Sequence, residues 1–291
     1  MKVLFLIFFL TSSSIGYSAE SNSVPTHYFR LLHTDLSLRP HWERHELEGT
    51  AQIQILPHFY PQNKIDLDAK CFDIHEVSLI QGSHRKALDY NYNRQKLIVF
   101  LDKTYTRNDT ISLYIRYTAH PDSVVTWSGR AKTDEKGLYF INTDGKRKNV
   151  PTQLWTQGET QANSAWFPTI DIPSQKHTQR ISVTYDQKWV SLSNGTLVSS
   201  TRSPDGMKTD IWEQTQPHSV YLTLLVIGDF KIVRDYWRGR EISYYMEPQY
   251  ESMARPIFGR TMAMLDFFSD KLGVEFPWDK YAQVIVHDFV A

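Results

Sequence analysis

Zinc-assisted hydrolysis needs three protein ligands, a metal-bound water and a general base. Its compact form places two histidines at i and i+4 on a helix, with a glutamate after the first. The chain carries 11 histidines. His45-Glu46 has Gly49 where the second histidine would stand, and His75-Glu76 has Leu79 there. His41 and His45 have the spacing, but Pro40 precedes them, Glu43 sits between them, and HWERH reads as a hairpin loop. A surface histidine pair is the better reading, and no convincing metal site emerges. Residues 153 to 173, QLWTQGETQANSAWFPTIDIP, hold a different candidate. Gln157 and Glu159 alternate there, so in a strand-like turn both side chains can share one side. Composition alone makes them an exposed loop pair. Cys71, the only cysteine, lies in the strand-like DLDAKCFDIHEV and reads as a buried structural thiol.

The elements that must position these side chains are mostly strands. Gly49 to Leu56 reads GTAQIQIL, with Ala51, Ile53 and Ile55 on one face and Thr50, Gln52 and Gln54 on the other. Similar runs cover 27–38, 65–68, 74–80, 96–101, 110–117, 181–185, 209–214, 221–230 and 241–246. Pro40, Pro57, Pro61, Gly82 and Asn108 punctuate them. The fold class implied is mainly β: a large antiparallel β-rich domain, sandwich- or saddle-like. The texture changes after about residue 235. Arg255 to Leu272 carries a helical stripe of Phe258, Met262, Leu265, Phe268 and Leu272, with Pro256 in the first turn and Gly273 as cap. A strand from Tyr281 to Phe289 follows. This helix–strand unit reads as the opening of an α/β domain.

Lys plus Arg and Asp plus Glu number 32 each, so no basic surplus marks a nucleic-acid binder. Lys2, the apolar run Val3 to Leu10 and small residues up to Ala19 read as a signal peptide over residues 1–19, too short to span a bilayer. The expected localisation is secreted or periplasmic, with no stable membrane span.

The 153–173 segment resembles one wall of the active site of M1-family zinc metallo-aminopeptidases, the aminopeptidase N-like gluzincins. There a Thr-Gln-x-Glu turn precedes an aromatic-Pro-x-x-Asp-x-Pro run; here these are Thr156, Gln157, Glu159, then Trp166, Phe167, Pro168, Asp171 and Pro173. KGLYFI at 136–141, SLSNGTL at 191–197, PHSVYLTLLVIGDF at 217–230 and GVEFPWDKYAQVIVHDFVA at the end resemble further family segments in the same order. Thr169 and Ile172 depart from the cysteine and glutamate often found there, which leaves the finer subfamily open. The resemblance implies a β-rich N-terminal domain at 20–235 and the start of a thermolysin-like catalytic domain at 236–291. It implies that Glu159 binds the free amine of a peptide substrate and that Gln157 donates a hydrogen bond in the cleft. Trp166, Phe167 and Pro168 would pack the turn on the sheet, and Asp171 would bond nearby backbone N–H groups. In the family, Gly-x-Met-Glu-Asn and a zinc-binding H-E-x-x-H follow the run that stops here at Ala291. Zinc would therefore belong to the full-length protein, with ligands beyond Ala291. This chain would supply the substrate wall, bind no metal, contribute no catalytic residue and be inactive alone. The alternative is a non-catalytic β-rich peptide-binding module or degenerate paralogue. A sandwich glycoside hydrolase is weaker, since nothing pairs two carboxylates in sequence.

Overall fold

The computed structural model describes residues 27–124 and 136–289. The expected signal peptide lies outside the described residues. In chain order the strands are β1 (Phe29–His41), β2 (Glu46–Pro57), β3 (Gln62–Asp68), β4 (Phe72–Gln81), β5 (His84–Ala87) and β6 (Tyr90–Tyr92). Then come β7 (Lys96–Tyr105), β8 (Ile111–Ala119), β9 (Leu138–Ile141), β10 (Gln153–Thr156), β11 (Lys176–Asp186) and β12 (Val190–Ser193). The rest are β13 (Thr196–Arg202), β14 (Met207–Ser219), β15 (Leu225–Gly228), β16 (Lys231–Trp237), β17 (Arg240–Met246) and, after helices α1 (Ala254–Phe258) and α2 (Thr261–Leu272), β18 (Lys280–Val284).

Eight strands form the main sheet in the order β13-β14-β11-β1-β2-β8-β4-β5, antiparallel except for the β1–β11 pair. The alternation read in β2 holds: Ala51, Ile53 and Ile55 are fully buried and Gln52 and Gln54 exposed. Those side chains join Leu36 and Ile115 of the neighbouring strands, Ile65, Leu67, Leu97 and Val99 of the small β3-β7-β6 sheet, and Trp166 and Phe167 in one core. Each such burial of a Val, Leu, Ile or Phe side chain contributes about 1.5–3 kcal/mol. A four-stranded sheet, β12-β15-β10-β9, presents Leu154 to this core and Trp155 to a second cluster with Tyr139, Val226 and Tyr245. All four β10 residues are therefore buried, and the strand is held on both faces.

Three elements differ from the sequence reading. The strand expected at 221–230 shortens to β15, because Val220–Leu222 forms a 3-10 turn whose Val220 carbonyl, with that of Thr223, is captured by the Asn163 side chain. The expected helix breaks at Gly259 and Arg260 into α1 and α2, as a helix-interior glycine favours. It ends at Gly273 in the left-handed conformation (φ 66°), as its cap residue implied. Phe258, Met262 and Leu265 pack against Ile242 and Tyr244, but Phe268 and Leu272 are 57% and 72% exposed. The stripe thus faces a core over its first half only. The last expected strand stops at Val284 after pairing in parallel with β17. The chain then leaves the sheet and lies against β10. Among the described residues no helix is long and apolar enough to cross a membrane.

Candidate functional site

β10 ends at Thr156, and the candidate turn begins there. Thr156 Oγ1 accepts the Leu225 N–H at 2.9 Å, and the Gln157 N–H donates to the Gly137 carbonyl at 3.0 Å. The Glu159 N–H meets Gln157 Oε1 at 3.4 Å, so the two candidate residues also close the turn on each other. Gly158 is buried between them; a β-carbon there would stand 2.3 Å from the Tyr221 carbonyl and 2.5 Å from Asn163 Nδ2. The Ala162 N–H returns to the Gly158 carbonyl at 3.0 Å.

Behind the turn lies a largely buried frame. Asn163 Nδ2 donates to the carbonyls of Val220 (2.7 Å) and Thr223 (3.2 Å), while its Oδ1 accepts Trp166 Nε1–H (2.8 Å). Trp166 and Phe167 are fully buried, as the sequence implied. Asp171 Oδ2 accepts the Ser164 N–H at 2.8 Å, and the Asp171 N–H donates to Asp68 Oδ2 at 3.1 Å. Asp68 and Thr169 exchange backbone bonds of 2.7 and 3.0 Å, and Lys70 Nζ donates to the Gln161 carbonyl at 2.6 Å. The turn is thus pinned from β3, β9, β15 and its own 3-10 segment. On this frame Gln157 is half-buried and Glu159 exposed. Among the described residues the Glu159 carboxylate has no hydrogen-bond or ion-pair partner.

The frame carries a pH signature. Asp171 is 3% exposed, and burial pushes its carboxyl up from 3.8 to about 6. Burial drives His218 down from 6.5 to about 4 and His177 well below its ordinary value. Between about 4 and 6.5 the unfolded chain binds the histidine protons and the fold does not, so those residues cost stability as pH falls. Asp171 acts oppositely: between 3.8 and about 6 the fold binds the extra proton, so its contribution rises as pH falls. His33 is lowered by burial too and Asp35 raised by it, so three histidines stand against two aspartates. The urea midpoint should fall on acidification from pH 7 to 4.5, and fall more steeply in Asp171→Asn, which lacks one counterweight. Equal slopes in the two proteins would show that the Asp171 carboxyl titrates normally.

Among the described residues no three His, Cys, Asp or Glu side chains gather to hold a metal. His41 bonds Glu48 (3.1 Å), whereas His45 bonds Asp122 (2.7 Å) and Thr143 (2.8 Å), so the i, i+4 pair diverges. The residues described do not fit a zinc ion. Cys71 is buried, its thiol on the Ser123 carbonyl at 3.2 Å.

One feature had almost no local sequence signal. Residues 285–289 lie along β10: Gln153 bonds the Ile285 carbonyl (3.4 Å) and the His287 N–H (3.0 Å), and Trp155 Nε1 donates to the His287 carbonyl (3.1 Å). His287 Nε2 also meets the buried Glu247 carboxylate at 2.6 Å, and Arg147 pairs with Asp288. The strand that ends in the candidate turn therefore also docks this segment. A glutamate in the apolar run ISYYMEP was the only hint.

The Peptidase M1 N-terminal domain profile matches residues 24–222. This chain belongs to that family. Aminopeptidase 2 of Candida albicans is 27% identical over 273 residues, covering 94% of this chain and 28% of the relative. Endoplasmic reticulum aminopeptidase 1 of Homo sapiens is 24% identical over 272 residues, covering 91% and 27%. The chain thus spans little more than a quarter of the length of these relatives. A crystal structure of a mutant M1 zinc metallopeptidase from Deinococcus radiodurans, bound to a Tyr-Ser-Ala substrate, superposes with a TM-score of 0.74 at 17% identity, over 91% of this chain and 58% of that one. A two-domain M1 zinc metallopeptidase mutant bound to L-tryptophan gives 0.73 at 19%, over 89% and 57%. These likenesses show the fold: the N-terminal β domain of an M1 peptidase with a first helix.

Proposed function

We propose that this chain forms the amine-binding wall of an M1 aminopeptidase that releases N-terminal residues from peptides. The observation that carries the reading is a carboxylate, Glu159, exposed and without an internal partner, on a turn whose backbone is fixed from several sides. Such a group is free to pair with a substrate ammonium. A peptide entering further along would offer a neutral amide instead and leave the charge unmatched, so the site would count from the free amine. Gln157 Oε1 is held by the Glu159 N–H, which leaves its Nε2 to donate to the substrate. Zinc is proposed for the full-length protein, with ligands outside this chain. The same reading divides the chain into a leader (1–19), the β domain (20–235) and the start of the catalytic domain (236–291), and places the protein outside the cytoplasm.

The test compares residues 20–291 with a version extended through the rest of the protein. The extended protein should release product from aminoacyl-p-nitroanilides and hold one zinc through dialysis. Residues 20–291 should do neither. Zinc held tightly by residues 20–291, or an extended protein that binds peptides without cleaving them, would replace the enzyme reading with the binding-module one.

A further inference from the structure

A cavity of about 480 Å³ opens beside the frame, between β3, the start of β1 and the 170–175 loop; Glu159 is not among its lining residues. Its size lies within the range of small-ligand sites. Gln62, Lys64, Asp66 and Asp68 line it, the alternate residues of one β3 face, with Lys96 of β7 beside them. Tyr28, Phe29, Ile170 and Ile172 give it an apolar side.

The polar groups are balanced and unequally occupied. Asp68 is satisfied: Lys96 Nζ lies 2.5 Å from Oδ1, and Oδ2 accepts the Asp171 N–H. Lys64 and Asp66 are exposed, and among the described residues neither has an ion-pair partner. Two lysines against two aspartates disfavour a simple anion or cation. One unpaired ammonium and one unpaired carboxylate, on residues a strand repeat of about 6.5 Å apart along β3, suit a ligand that carries both charges. We propose that this cavity binds a free apolar α-amino acid, its carboxylate on Lys64, its ammonium on Asp66 and its side chain against Ile170 and Ile172. Such a molecule is the product class of the proposed reaction, so a feedback role rests on that reading; the binding itself does not. Asp68 links the two places. It lines the cavity and bonds Thr169 and Asp171, and Asp171 holds the Ser164 N–H behind the candidate turn.

L-leucine titrated into the full chain by calorimetry should bind at one site. Leucinamide, which lacks the carboxylate, and 4-methylpentanoate, which lacks the amine, should each bind about fivefold more weakly, the upper end for a partly exposed ion pair. Lys64→Met and Asp66→Asn should each weaken leucine by a similar factor, and both are exposed positions where folding is insensitive to the change. Glu159→Gln should leave this binding unchanged. Amide exchange at Thr169 and Asp171 should slow when leucine is present. The proposal is overturned if leucine does not bind, if the two analogues bind as well as leucine, or if Glu159→Gln abolishes binding while the Lys64 and Asp66 variants retain it. That last pattern would place the amino acid on the Glu159 turn and leave the amine-anchor reading intact.

Discussion

Replacing Gly158 with alanine should destabilise the β domain by about 2–3 kcal/mol, the upper part of the range for forcing extra volume into a packed interior. At this chain length that lowers the thermal midpoint by roughly 4–12 °C. The added methyl would meet the Tyr221 carbonyl at 2.3 Å and Asn163 Nδ2 at 2.5 Å. Neither neighbour can yield cheaply. Asn163 is anchored to the carbonyls of Val220 and Thr223 and to the Trp166 indole, and Tyr221 belongs to the 3-10 turn those carbonyls define. Gly82→Ala is the control. Gly82 has φ +62° but nothing within 4 Å of its would-be β-carbon, so only backbone strain of about 1–2 kcal/mol is added. Calorimetry on the two variants separates close approach from strain. If Gly158→Ala melts no lower than Gly82→Ala, the turn is looser than these distances imply. In the extended enzyme the Gly158 variant should also lose activity, because Gln157 and Glu159 flank the displaced residue.

What was legible in the sequence was what is local. The alternation of β2 reports its two faces, because successive side chains of a strand point oppositely. Gly273 ends α2 in the left-handed conformation that glycine tolerates best. Trp166 and Phe167 announce a packed segment by size alone, and Asp171 bonds a backbone N–H only seven residues away. What was not legible depends on partners far along the chain. Asp68 and Asp171 meet across 103 residues, and Gln153 and His287 across 134. Nothing near Asn163 signals that its side chain would anchor the 3-10 turn that shortens β15. Helix periodicity placed the α2 stripe but could not tell how much of it would be covered: Met262 and Leu265 reach a core, whereas Phe268 and Leu272 are 57% and 72% exposed. At the candidate site, the resemblance of the 153–173 segment to the family pointed to Gln157 and Glu159, which composition alone would have left as an exposed loop pair. Only the fold supplied the frame that holds them.

On the proposed function, Glu159 anchors the substrate's free amine. Glu159→Gln in the extended enzyme keeps the size and hydrogen bonding of the side chain and removes its charge. A charge-assisted hydrogen bond in a closed cleft contributes about 1.5–3 kcal/mol, which is roughly ten- to a hundredfold in kcat/KM. The side chain sits on the surface of its turn and supports nothing beneath it, so stability should hold within about 0.5 kcal/mol. Zinc content should also hold, since the carboxylate is not proposed as a ligand. The deciding measurement is kcat/KM of wild type and Glu159→Gln on matched substrates with a free and an N-acetylated amino terminus. The ten- to hundredfold loss should appear for the free amine only, with little change for the blocked substrate, so that the preference between them collapses. A variant that cleaves free-amine substrates at the wild-type rate would contradict it and return Glu159 to the standing of an ordinary surface carboxylate.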